Sequence, residues 1–165
     1  FNAPLAHGAG RWFDAFGALA LGRTHALYEG QLAMALEAAA DPAERTPYPY
    51  DLAEDPAARP RWQVDPRPAV RAAVADLLAG RPAGIVAARF HVTLAEAAHA
   101  LVDAVAPSLG RLPVVLTGGC FQNALLAAEA ARRIEGSNEV YLHGSIPPGD
   151  GGLALGQALV AARSA

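Results

Sequence analysis

The 165 residues carry 13 basic and 16 acidic side chains, a net charge of −3, one Cys and 53 % hydrophobic residues. All the basic residues are Arg, so a Walker-type phosphate loop and a Schiff-base enzyme, both of which need Lys, are excluded. A single Cys excludes an internal disulfide and a Cys-rich zinc site, and a mildly acidic chain without a basic block does not suit nucleic-acid binding.

No apolar run of the ~20 residues a membrane span needs is read from the sequence, and no secretory signal is visible. A soluble, cytoplasmic domain is the expectation, with no membrane and no nucleic-acid partner. Phe1 in place of an initiating Met makes a piece of a longer protein the expectation.

About a quarter of the residues are Ala, well above the usual share, and Ala favours helix. The first helix is expected over residues 11–21, ending at Gly22, with Trp12, Phe13, Phe16, Leu19 and Ala20 on its apolar face. A second is expected over 28–40, with Tyr28, Leu32, Ala35, Leu36 and Ala39 inward. Residues 48–52 and 61–64 alternate as strands do and are expected to pair as a long-looped hairpin. Asp65-Pro66 opens a third helix, with Asp65 as its N-cap, an inner stripe of Val70, Val74, Leu77 and Leu78, and an end at Gly80. A long helix over 82–105 follows.

The last third reads as strand, helix, strand, helix over 112–116, 124–134, 140–143 and 153–162. That order predicts two neighbouring parallel strands joined by a crossover, and the hairpin is expected in the same sheet. The chain is therefore read as one α/β domain over residues 1–165, a small mixed sheet with flanking helices.

Four segments are suited to chemistry. Thr117-Gly118-Gly119-Cys120-Phe121-Gln122-Asn123 runs from a buried strand into a double-glycine turn, where a flat ring can lie against backbone and free N–H groups face a ligand. A tight turn without a ligand has the same sequence. Pro148-Gly149-Asp150-Gly151-Gly152 sets a carboxylate before a helix, either to bind a cation or to cap the helix. Gly8-Ala9-Gly10-Arg11 suits an anion at a helix N-terminus, while Arg11 and Asp14 at i,i+3 also form an ordinary surface pair. Glu29 falls in an expected first helical turn, where the dipole alone favours it. His7, His25, His91, His99 and His143 include no pair at i,i+4, and each is read singly as structural or solvated. Cys120, without a nearby His, is a weak nucleophile.

With these segments in view, the chain resembles the HypF-type carbamoyltransferases of [NiFe]-hydrogenase maturation. Residues 116–123 are similar to that family's LSGGVFQN, 10–15 to GRLFDA, 28–37 to YEGQAAMALE and 89–95 to RFHNTLA. Residues 150–157 match DGGLALGQ throughout. The five segments keep their order and cover nearly the whole chain. Cys120 stands where the family usually has Val, His7-Gly8-Ala9 replaces SSM, and Gly149 replaces an Asn.

The resemblance implies the second lobe of a TsaD-like domain, a member of the actin/sugar-kinase/heat-shock-ATPase fold group. It implies ATP or carbamoyl adenylate as ligand, and carbamoyl transfer to the C-terminal Cys of a HypE-type acceptor protein. Gly118, Gly119 and Asn123 would line the nucleotide site, and Asp150 would be one ligand of a divalent metal, Fe, Zn or Mg. Arg11, Asp14 and Glu29 would order the cleft. An upstream lobe of the same domain and a carbamoyl-adenylate-forming module would complete the machinery. The alternatives are a related O-carbamoyltransferase, a threonylcarbamoyl transferase lobe, or a non-catalytic interaction module.

Overall fold

The structure, a computed structural model, describes residues 8–58 and 61–164; His7 lies outside them. Helix α1 (Ala9–Leu21) stops where Gly22 takes a φ of 63°, a left-handed conformation open to a residue without Cβ. Its buried stripe is Phe13, Phe16 and Gly17. Leu19, expected inward, is 42 % exposed, because Gly17 takes the close contact. A Cβ on Gly17 would lie 2.9 Å from the Cβ of Leu32, on helix α2 (Gln31–Ala39). The helix expected from residue 28 thus starts three residues later. Gly30, with φ 77°, interrupts it, so Glu29 stands in a turn rather than a helical turn, and Tyr28 is exposed.

The hairpin is present as β1 (Asp51–Glu54) and β2 (Trp62–Asp65), antiparallel with Asp51 opposite Asp65. Its first strand begins later than residue 48 because Tyr48 is committed elsewhere. The Tyr48 backbone N–H donates to Thr93 Oγ1 at 2.7 Å, and its hydroxyl donates to Asp76 Oδ2 at 2.9 Å. The hairpin also forms a sheet of its own, contrary to the expectation of one mixed sheet. Both strands pack against the long helix α4 (Ala83–Leu109).

Helix α3 (Arg67–Leu78) has Pro66 rather than Asp65 at its N-cap. Asp65 acts one place further out, accepting the Arg67 backbone N–H at 2.9 Å. Ala69 and Ala73 form the buried stripe of α3, and Leu78, expected inward, is 84 % exposed. Small residues let α3 approach α4 closely, and the leucine at its last position is left outside.

Helix α4 is long and apolar enough by composition to span a bilayer. Its middle, however, is the protein's core: Val86, Ala87, Phe90, His91, Val92 and Ala95 are all at most 2 % exposed. Phe90 meets Phe13 edge-on at 4.9 Å and stacks with Phe16 at 4.3 Å. Arg89 on the same helix lies 4.0 Å from the Tyr48 ring centroid and donates to Asp76 Oδ2 at 2.7 Å. That pair ties α3, α4 and the segment before β1 together.

Strands β3 (Val114–Leu116) and β4 (Val140–Leu142) are parallel, with Leu116 opposite Leu142 and helix α5 (Ala124–Ile134) between them in sequence. This parallel pair is as the sequence predicts. β3 starts after Leu112, whose carbonyl accepts from the Asn138 side chain at 2.9 Å instead of joining the ladder. Helix α6 (Leu153–Ser164) closes the described chain. Leu153, Leu155, Leu159 and Val160 on α6 are exposed, as are Val115, Tyr141 and Leu142 on the sheet.

The Gly17–Leu32 approach sets the distance between α1 and α2. Gly17→Val should therefore cost about 1–3 kcal/mol by forcing the helices apart, read as a lower urea midpoint. A variant as stable as the parent would show that the contact does not constrain the pair.

Candidate functional site

The site grows out of the carboxyl end of β3. Leu116 is buried; the chain then turns at Gly118, whose φ of 97° disfavours any residue with a Cβ. The Gly118 backbone N–H donates to the Pro148 carbonyl at 2.9 Å, which joins this turn to the loop after β4. The Gly118 carbonyl accepts from the Phe121 N–H at 3.0 Å and starts a 3-10 turn, Gly119–Gln122, that leads into α5.

The glycines divide by physical need. A Cβ on Gly149 would lie 2.6 Å from Gln122 Nε2, and one on Gly152 would lie 2.7 Å from the Pro147 carbonyl oxygen. Gly149 is small where the two loops meet, and Gly152 is small where the loop after β4 folds back on itself. Gly119 differs: its φ is not left-handed and a Cβ there would meet nothing within 4 Å. The fold does not require glycine at that position. A bare backbone facing open space suits the close approach of a ligand.

Beside these loops lies an open groove of about 560 Å³, within the ~300–1,000 Å³ usual for small-molecule sites. Thr117, His143, Pro148, Leu153 and Gln157 line it together with Gly149, Gly152 and Gly156. It opens beyond the carboxyl ends of two parallel strands, where open α/β sheets place ligands.

Asn123 holds the turn in place. Its Oδ1 caps α5 by accepting the Leu126 N–H at 2.8 Å, and its Nδ2 lies 3.0 Å from His91 Nε2. His91 Nδ1 lies 2.7 Å from the Ala87 carbonyl oxygen. Carbonyl oxygen only accepts, so Nδ1 carries the proton and Nε2 accepts from Asn123. Burial lowers the His91 pKa, against the Ala87 hydrogen bond and Glu37, which favour the charged ring. Phe13 meets the imidazole edge-on at 5.4 Å. Glu37 Oε1 also accepts the Leu125 N–H at 3.1 Å, a second side-chain acceptor at the start of α5. The sequence singles out Asn123 as a ligand contact. In the structure both ends of its amide are engaged within the fold and it is 8 % exposed. The sequence reads His91 as structural or solvated, and the structure makes it structural; Glu37 is the support that sequence reasoning does not find, and the one available signal is an Asn immediately before a helix.

Arg11, Asp14 and Glu29 are brought together, in a different place. With Leu27, Tyr28 and Gly30 they line a cleft of about 410 Å³ whose walls share no residue with the groove. Arg11 pairs with Asp14 at 2.7 Å. Helix α1 itself touches the 3-10 turn.

Asp150 begins a second 3-10 turn, Asp150–Gly152, just before α6. It is exposed, and the cap position is taken by Gly149, with no side-chain capping bond. The capping role that its sequence position allows is thus not used. Among the described residues no three His, Cys, Asp or Glu side chains gather to hold a metal ion, so these residues do not by themselves fit a resident divalent cation. Cys120 is half-buried and burial pushes its thiol pKa up, which works against a reactive thiolate.

The family model described as "Carbamoyltransferase, Kae1-like Domain, second subdomain" matches residues 1–157. Carbamoyltransferase HypF2 of Cupriavidus necator is 36 % identical over 99 % of this chain and 23 % of its own length. Carbamoyltransferase HypF of Rhodobacter capsulatus is 41 % identical over 98 % of this chain and 20 % of its own. A crystal structure of full-length HypF in a phosphate- and nucleotide-bound form superimposes with a TM-score of 0.85 at 33 % identity, covering 92 % of this chain and 20 % of that one. The chain thus spans about a fifth of the length of these relatives.

His91→Leu strands the Asn123 amide without its acceptor and should cost about 1–3 kcal/mol, whereas His91→Gln, which can accept from Asn123 and donate to Ala87, should recover most of it. Because the folded protein holds the ring neutral, the unfolded chain binds the extra proton. The neutral ring's contribution is complete above the ordinary imidazole pKa of about 6.5 and is lost as pH falls below it. Urea titrations at pH 7.5 and 5 should show less acid loss in His91→Gln than in the parent. Equal stability of the Leu and Gln variants would rule out the hydrogen bond as the support.

Proposed function

The chain belongs to the family of the second subdomain of the carbamoyltransferase Kae1-like domain, and from that premise we propose that it forms one wall of the nucleotide cleft of a HypF-type carbamoyltransferase. The carrying observation is Gly119, a glycine the fold does not need, set beside a groove at the carboxyl edge of a parallel strand pair. On this reading the adenosine part of ATP or carbamoyl adenylate lies against the Gly118–Gly119 backbone, outside the groove, and its carbamoyl end points toward the groove. Asn123 serves that contact by fixing the turn through its bonds to His91 and Leu126.

The reaction on this reading is attack of a thiol sulfur on the carbamoyl carbon, with the adenylate leaving as AMP. The acceptor is the C-terminal Cys of a HypE-type protein, and the setting is the cytoplasm. Asp150, exposed beside the glycine loop, is offered as one ligand of a divalent ion whose remaining ligands come from an upstream lobe. The exposed apolar residues of β3, β4 and α6 support a partner surface there, which we assign to that lobe and the adenylate-forming module. Relatives named HypF favour this reading over an O-carbamoyl or threonylcarbamoyl transferase.

A test uses the space at Gly119. A Cβ at residue 119 meets no neighbour within 4 Å, so Gly119→Val in the full-length protein should keep the folded circular-dichroism spectrum while nucleotide affinity falls at least ~10-fold, about 1.4 kcal/mol, in calorimetric titration. Unchanged affinity would reduce the turn to a structural element.

A further inference from the structure

We infer that His143, held by Thr117 at the carboxyl edge of the β3–β4 pair, takes the proton from the thiol that receives the carbamoyl group; this rests on the carbamoyl-transfer reading above. Leu116 and Leu142 are register partners, so the residues that follow, Thr117 and His143, leave the sheet side by side. His143 Nε2 lies 2.9 Å from Thr117 Oγ1. We assign the tautomer in which the Thr117 hydroxyl donates to the Pro148 carbonyl at 3.5 Å and its oxygen accepts a ring N–H from Nε2. That arrangement puts the imidazole lone pair on Nδ1, which has no partner among the described residues.

His143 is also the one ionisable side chain among the residues lining the groove. The other histidines among the described residues are committed elsewhere. Both His91 nitrogens are used within the core, His99 pairs with Asp103, and His25 pairs with its neighbour Thr24. Cys120 is raised by burial. A thiol entering the groove therefore finds one proton acceptor on this wall, next to the Gly118–Gly119 turn.

The step balances without a further reactant. The S–H proton passes to His143 Nδ1, sulfur bonds to the carbamoyl carbon, and the carbon–oxygen bond to the adenylate phosphate breaks with its electron pair leaving on AMP. The products are a thiocarbamate, AMP and an imidazolium that returns its proton to solvent.

The test is single-turnover transfer in the full-length protein, using preformed carbamoyl adenylate and a HypE-type acceptor. His143→Gln should slow transfer by about 10²–10⁴-fold, the usual contribution of a positioned base, and change nucleotide affinity less than ~3-fold. Added imidazole should restore part of the rate. A variant at the parental rate would overturn the inference. So would a loss that imidazole leaves untouched and nucleotide affinity follows, because that is the signature of a structural residue. A parent protein that makes no thiocarbamate overturns the carbamoyl-transfer reading and this inference with it.

Discussion

Asn123 works at both ends: its carbonyl oxygen caps α5 and its amide nitrogen donates to a histidine in the middle of the core helix. His91 in turn spends its remaining nitrogen on its own helix, at Ala87. A buried polar group left without a partner costs about 1–3 kcal/mol, so the set is stable only when complete. Completeness fixes three things at once: the tautomer of the ring, the start of α5, and the exit direction of the glycine turn from β3. The apolar surroundings of Phe13 and Phe90 sharpen the constraint. In them a slipped turn would strand an amide rather than find water.

Once the turn is fixed, the rest of the site follows from small residues. Gly149 lets the loop after β4 come within contact of the turn, Gly152 lets that loop fold back on Pro147, and the Gly118 N–H bonds across the join. The result is a floor of backbone with a glycine, Gly119, that packs against nothing. Along one side run exposed leucines and a valine of α6, together with Val115 and Tyr141 of the sheet. Exposed apolar surface of this kind supports the partner surface proposed above.

Much of this was legible in the residues. The parallel pair was readable because β3 is an apolar run bounded by Gly110 and the double glycine, and α5 emerged with the limits read from its periodicity. Where reading failed, tertiary contacts overrode local pattern. Residues 48–50 alternate as a strand does, but the Tyr48 N–H is taken by Thr93, forty-five positions away. Tyr28 and Glu29 fit a helix by composition, yet Gly30 at positive φ cuts them off. The hairpin and the parallel pair stay separate because the hairpin lies on α4, a relation that no local spacing encodes. At the site, the glycine turn and Asp150 were visible as motifs. The His91–Asn123 bond spans thirty-two positions and was not.

The central claim is that nucleotide lies on the backbone of the turn after β3 and of the loop after β4. Hydrogen–deuterium exchange of the full-length protein, with and without saturating ATP, addresses it peptide by peptide. The account predicts slowed exchange in residues 117–123 and 147–153, with the hairpin of residues 51–65 unaffected. Protection confined to other segments, with both glycine loops exchanging as in the free protein, would contradict it.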